Sequence, residues 1–205
     1  MSRPIQIKKE TILKVAKEMF FERGMAGTEM KEIAAACNIG RSSLYRYFES
    51  KEAIALELVI EILDDLNSEM EEIISQYSTG YEKVEQGLIF YIQKMKNSAS
   101  MVRFLDDFDS CFYYGYPLNL SQDYIQKLKT HHFALTNALK QASEEGSIGL
   151  IRNAEYTAKF LINTLFGVGQ RIIPRADLIR EEQGYAEEYL EDLLMILKGC
   201  IKSTK

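Results

Sequence analysis

The chain has 205 residues, is 46% hydrophobic and 27% charged, and carries a formal charge of −5 at pH 7. With three Pro, no Trp and glycines mostly at apparent boundaries, the composition is that of an all-helical soluble protein and speaks against a β sandwich. The charge is uneven: residues 1–51 hold ten Lys or Arg against six Glu, a net of +4 that leaves −9 on the remainder, which suits a polyanion partner at one end only.

Residues 1–7 read as a short arm carrying Arg3, followed by a first helix from about Lys8 to Arg23 whose Ile12, Ala16, Met19 and Phe20 form an inward stripe and whose end is marked by Gly24. Thr28 stands where a hydroxyl would cap the next helix. In that helix Met30, Ile33, Ala34 and Cys37 fall at i, i+3, i+4 and i+7, leaving Glu29, Lys31 and Glu32 outside. Cys37-Asn38-Ile39-Gly40 then supplies a tight reversal: Asn tolerates the left-handed conformation, Gly enters it freely, and Ile39 is an apolar plug. Beyond it Arg41, Ser42, Ser43, Tyr45, Arg46 and Tyr47 crowd onto barely two turns, with Leu44 and Phe48 as inward anchors. The pattern predicts a helix-turn-helix whose second helix faces a polar partner.

A fourth helix is expected from Ser50 to about Ser75, with Leu58, Ile62, Leu66 and Met70 on one stripe. A fifth runs from about Tyr81 to Asn97, with Tyr81, Val84, Leu88, Tyr91 and Met95 in register. Met101–Tyr114 places Phe104, Phe108 and Phe112 every fourth residue, and Gly115-Tyr116-Pro117 ends it. One long helix is expected from about Ser121 to Glu145, then two more over about Asn153–Ile173 and Tyr185–Ile201. The last carries two apolar stripes, Tyr189/Leu193/Ile196/Cys200 and Leu190/Leu194/Leu197/Ile201, a surface wide enough to need burial on two sides. Gly167 and Gly169 in the preceding helix leave room for another backbone, so the pair suits a four-helix bundle with a second copy.

The segment Thr28–Lys51 with its upstream helix resembles the DNA-binding domain of the tetracycline-repressor (TetR) family of bacterial transcriptional regulators. Ile12-Leu13, Ala16, Met19-Phe20, Gly24, Thr28, Ile33-Ala34, Ile39, Leu44-Tyr45, Tyr47-Phe48 and Ser50-Lys51-Glu52 sit at the family's spacing over about the first quarter of the chain. Two positions depart from it: Asn38 stands where the family usually has Gly, and Gly40 where it usually has a Ser or Thr cap. The resemblance implies a helix-turn-helix domain over 1–51 and a helical regulatory and dimerisation domain over 52–205. It also implies a homodimer on a palindromic DNA operator, most often as a repressor, and a cavity for a small-molecule effector in the helical body.

The chemistry apportions the DNA face. Arg41 is the residue suited to a guanine edge, being able to donate to O6 and N7 together. Ser42 and Ser43 can reach bases or phosphates, and Tyr45 and Tyr47 suit backbone or thymine-methyl contacts. Lys31, Arg46 and Lys51 would position the protein on phosphates, and the resemblance implies that the helix start at Thr28 lies near the DNA backbone. An exposed polar residue is the plain alternative for each, and for the two tyrosines a packed one. For the effector, Tyr91, Phe104, Phe108, Phe112, Tyr124, His131 and Phe166 are the candidate lining, and with Asp106, Asp107 and Asp109 nearby in sequence an apolar or cationic aromatic ligand is expected. Ordinary core packing is the competing reading.

An enzyme has little to stand on. His131 and His132 are helix neighbours pointing about 100° apart, poorly placed to hold one ion. Gly167-Val168-Gly169 lacks the strand and the third glycine of a dinucleotide fingerprint. Cys37, Cys111 and Cys200 are too scattered for a zinc or disulfide framework. No cofactor is expected, and with no apolar leader or membrane-length run the reading is cytoplasmic. Two alternatives stay open: a constitutive DNA-binding or protein-interaction factor of the same fold, and a helical enzyme or metal protein using His131, His132 and Asp106.

Overall fold

The computed structural model describes residues 3–111, 121–130, 132–186 and 188–201. Among them the chain forms helices α1 (Arg3–Arg23), α2 (Met30–Ala36), α3 (Arg41–Tyr45), α4 (Lys51–Ile74), α5 (Gly80–Asn97), α6 (Ala99–Cys111), α7 (Ser121–Thr130), α8 (Phe133–Glu144), α9 (Ala154–Ile172), α10 (Ala176–Gln183) and α11 (Glu188–Ile201), with a 3-10 turn at Ile173–Arg175 and no strand. The all-α class expected from composition holds.

Three elements differ from expectation. The backbone is already helical at Arg3, so the first helix starts five residues early. The single helix expected over 121–145 is two, with His132 as the N-cap of α8, because an apolar period marks a shared face and not an unbroken axis. The stretch after α9 folds into an unanticipated helix, α10. Pro174 lacks a backbone N–H to lose and opens the tight turn before it, and Gly184, in the left-handed region at φ +79°, closes it.

The chain forms two compact units, Met1–Ile62 with Arg103–Gln126, and Leu63–Val102 with Lys127–Lys205. The first is larger than the 1–51 segment, since it includes the N-terminal half of α4 and most of α6. Its core joins Ile12, Ala16 and Phe20 of α1, Ile33 of α2, Leu44 of α3, Ile54 and Leu58 of α4, and Phe104 of α6, all essentially solvent-free. Phe20 and Phe104 lie nearly parallel with centroids 5.8 Å apart, and Phe21 tilts onto the same ring at 5.7 Å. Aromatic pairs of this kind add about 0.5–1.5 kcal/mol beyond area burial. An ion pair from Lys9 to Glu57 at 2.6 Å ties α1 to α4.

In the second unit α8 packs on α5 and α9, and α11 lies against α5 and α9. Val84, Leu88, Tyr91 and Met95 of α5 are buried, as their spacing predicts. Thr79 and Glu82 cap that helix reciprocally. Gly80 is required by a close approach: a Cβ there would lie 2.1 Å from the backbone nitrogen of Ala142. Of the two stripes on α11, Leu190, Leu197 and Ile201 of one face inward, whereas Ile196 of the other is 57% exposed and Cys200 is also on the surface; Met195, on neither stripe, is 66% exposed. On α9, Ala158, Leu161 and Leu165 are buried while Tyr156 and Phe160 stay outside. Beside them Gly167 has open space where a side chain would be.

Candidate nucleic-acid interface

α2 and α3 are built from local rules. At the start of α2 the N-cap is Glu29, not Thr28: the Glu29 and Glu32 side chains and backbones cap each other, with the Glu29 N–H donating to Glu32 Oε2 at 2.9 Å. That hydrogen bond holds the Glu32 carboxyl below its usual range, helped by nearby Arg23. After α2, Asn38 takes φ +54°, the left-handed conformation its short amide tolerates, and the Ile39 N–H returns to the Ala34 carbonyl at 3.0 Å. Gly40 is extended, caps α3 without a side-chain hydrogen bond, and so leaves its first N–H groups to solvent or a ligand.

The five-residue α3 is pinned by Leu44, fully buried, with Phe48 just beyond it. Arg41, Ser42, Tyr45 and Arg46 are exposed, and Ser43 and Tyr47 are half-buried. The Arg41 guanidinium lies 5.6 Å from the Tyr45 ring centroid, so the two side chains share one surface. Arg46 donates to the Ser43 hydroxyl at 3.0 Å, and Lys31 pairs with Glu29 at 2.9 Å on the exposed side of α2. Seven of the nine residues read as DNA-facing therefore keep solvent-accessible polar groups on α2, α3 and the turn after it.

The other two change role. Thr28 is fully buried, and its hydroxyl donates to the Gly24 carbonyl at 2.9 Å, so the side chain neither caps α2 nor reaches the surface. Lys51 folds inward, its ammonium donating to the Met25 carbonyl at 2.7 Å and the Thr28 carbonyl at 3.2 Å. Two of its three N–H donors are taken up inside the protein, and the misfit of a Lys in the first turn of a helix is explained by these carbonyls. From α6 a residue expected near the effector lining reaches the Met25 backbone instead. Asp107 accepts from the Met25 N–H at 3.2 Å. Its oxygen occupies the space above Gly24, where a Cβ would come within 2.7 Å. The signal was present in an acid wedged between Phe104 and Phe108, both buried, but nothing in the period of α6 says what lies opposite.

This helix-turn-helix geometry can be set beside known proteins. Residues 12–58 match the family model for bacterial regulatory proteins of the tetR family. This segment is thus similar to the DNA-binding domain of that family. Among curated relatives, the transcriptional repressor KstR2 of Rhodococcus jostii is 30% identical over 107 residues, covering 45% of this chain and 52% of that protein. The match thus spans about half the length of that relative. The fold of the whole chain resembles FadR of Bacillus subtilis in complex with stearoyl-CoA, with a TM-score of 0.68 at 20% identity over 94% of this chain and 98% of that one. FadR of Thermus thermophilus in complex with lauroyl-CoA gives 0.68 at 21% identity over 96% of both chains.

The expected effector lining is divided between the two units. Phe104 is committed to Phe20 and Phe21, and Phe108 meets Tyr124 edge-on at 5.4 Å, all within the first unit. Tyr91 meets Phe166 edge-on at 5.7 Å in the second. Phe112 and His131 lie outside the described residues. Among the described residues the buried Tyr91 hydroxyl has no hydrogen-bond partner, and burial pushes its phenol well above the ordinary value, so it stays a neutral donor. His132 is fully buried with Nε2 4.0 Å from the Glu155 carboxylate, while Asp106 belongs to the other unit. Among the described residues no three His, Cys, Asp or Glu are grouped to hold a metal ion, and no helix is long and apolar enough to cross a membrane.

Proposed function

We propose that the chain is a ligand-responsive transcriptional regulator, acting as a repressor, that binds a palindromic DNA operator as a homodimer. The observation that carries this reading is α3: a short helix held by Leu44 alone, offering Arg41, Ser42, Tyr45 and Arg46 together on one exposed surface. Arg41 reads a base edge, Tyr45 and Lys31 seat the protein on phosphate, and the uncapped N–H groups of α3 add a favourable site for an anion. The dimer is supported by the outward apolar surfaces of α9 and α11, where Tyr156, Phe160, Met195 and Ile196 lie exposed.

Release from DNA is assigned to the Met25 peptide group. Its N–H is held by Asp107 of α6 and its C=O by Lys51 of α4, so a shift of either helix is felt at the start of α2. An effector that favours the shifted state by a few kcal/mol would suffice to empty the operator, whereas equal binding to both states would change nothing. The Tyr91 hydroxyl supports an effector carrying an acceptor, since an unmet buried hydroxyl costs about 1–3 kcal/mol. Two proteins of similar fold hold acyl-CoA, which makes lauroyl-CoA the first compound to try.

Gel-shift titration of DNA upstream of the gene at two salt concentrations tests the reading. Specific binding that weakens with salt, and is reversed by an effector, is the expected result. Specific binding that no effector reverses would favour a constitutive factor, and equal affinity for unrelated DNA would remove the operator assignment.

A further inference from the structure

Outside the DNA face and the aromatic residues, the second unit contains a cavity of about 330 Å³ between the end of α5, the start of α6, the turn after α9, α10 and α11. Its walls are Ile172, Ile173 and Leu190, and three alanines, Ala99, Ala176 and Ala186. Any larger apolar side chain at those three positions would fill the space. Left open, the walls lose dispersion contacts on one side. One of the seven lining residues is charged, Lys96. It stands at the solvent edge: its side chain is 29% exposed and its ammonium pairs at 2.8 Å with Glu191, which is 68% exposed. The pair is of the exposed kind that contributes little net stability, so Glu191 is readily exchanged for another carboxylate.

We propose that this cavity is a binding site for a small monocarboxylate with a short apolar tail, the tail lying among Ile172, Ile173, Leu190 and the alanines and the carboxylate replacing Glu191 on Lys96. Charge and shape choose the ligand class. Among the described lining residues the one cation, at the rim, selects one negative headgroup, and the uncharged side chains within offer nothing to a second polar end. The volume is near the lower end of the roughly 300–1,000 Å³ usual for ligand pockets, which leaves no room for a nucleotide-bearing thioester. α10 forms one wall and is held by a small satellite core in which Ile172, Ile179 and Ala186 are buried, with Val168, Ala176 and Tyr189 packed around them. A tail inside the cavity extends that core, so binding orders α10. The site is independent of the operator reading and of the Tyr91 region.

Sodium octanoate is the probe, with 1-octanol and octylamine as controls of the same length and different charge, measured by calorimetry on the full chain. Saturable binding of octanoate, at least tenfold tighter than either control, is expected. Lys96→Met should weaken it tenfold or more, and Ala176→Leu should block it. Glu191→Gln, which removes the competing carboxylate, should tighten it about threefold, a gain that misfolding cannot imitate. Octanoate should also slow amide exchange across α10. Absence of saturable binding, or equal affinity for octanoate and octanol, would overturn the proposal, as would an affinity unchanged by both Lys96→Met and Glu191→Gln.

Discussion

Arg41 and Lys51 are both basic and both lie in the Thr28–Lys51 segment, yet the structure uses them in opposite directions. Arg41 lies outside on the Tyr45 ring, and Lys51 turns in to two carbonyls. Arg41→Ala should cost about 1–3 kcal/mol of operator affinity and relax base preference at one position, read by competition gel shift with single-base variants. Lys51→Met should act on folding: loss of two hydrogen bonds from a charged donor is expected to lower stability by about 1–3 kcal/mol in urea unfolding. It should leave the salt slope of DNA binding unchanged. A slope that fell by about one with Lys51→Met would return that residue to the phosphate backbone. The difference between these two was not legible in sequence, because a Lys at a helix start satisfies both readings equally until the carbonyls of Met25 and Thr28 are placed beside it.

At the scale of the element, the turn and caps of the helix-turn-helix were legible in kind and less so in detail. Asn38 was expected to tolerate the left-handed region and does adopt it; Gly40 was expected to cap poorly and has no side-chain hydrogen bond. Asn38→Gly should therefore be neutral or slightly stabilising, and Asn38→Val should cost about 1–2 kcal/mol in thermal unfolding, the usual penalty for a branched residue at positive φ. The cap of α2 was misplaced by one residue, since Thr28 and Glu29 both have suitable oxygens and burial of Thr28 decides between them. Acid should expose this cap. Glu32 and Glu82, each in a reciprocal cap, have carboxyls held below the ordinary range chiefly by hydrogen bonds to Glu29 and Thr79. A depressed carboxylate stabilises the folded state fully above its unfolded value and loses that contribution as pH falls through the folded one. The hydrogen-bond signatures of the Glu29 and Thr79 amides should thus persist into the ordinary carboxylate range, and each should be lost below it. The break between α7 and α8 and the whole of α10 escaped the sequence reading for one reason: period reports which face is buried and says little about short breaks or one-turn connections.

For the whole molecule, the all-helical class and the basic head followed from composition and spacing, whereas the tertiary partners of α6 did not. Three phenylalanines at every fourth position looked like one cavity wall, and the structure assigns Phe104 to the core of α1 and Phe108 to Tyr124. Helical period fixes neighbours along an element but not across the fold. The outer surface of α9 and α11 gives the matching prediction. Phe160→Glu with Ile196→Glu, both at exposed positions, should convert a dimer to a monomer in sedimentation equilibrium with no loss of helicity. Operator affinity should fall well over tenfold, since each head alone reads only a half-site. A doubly substituted chain that still sediments as a dimer would place the interface elsewhere.

Gly24 has a consequence for genetics. It sits at φ +76°, where a side chain is strained, and a Cβ there would also collide with the Asp107 carboxylate. A single base change at this codon therefore strains the α1 terminus and pushes aside the Asp107 carboxylate that holds the Met25 N–H, in one step. In a selection for loss of regulation, alleles at codon 24 should recur and should not be rescued by raising effector concentration. Their natural suppressors would be small residues at codon 107, which reopen the space that the new side chain needs.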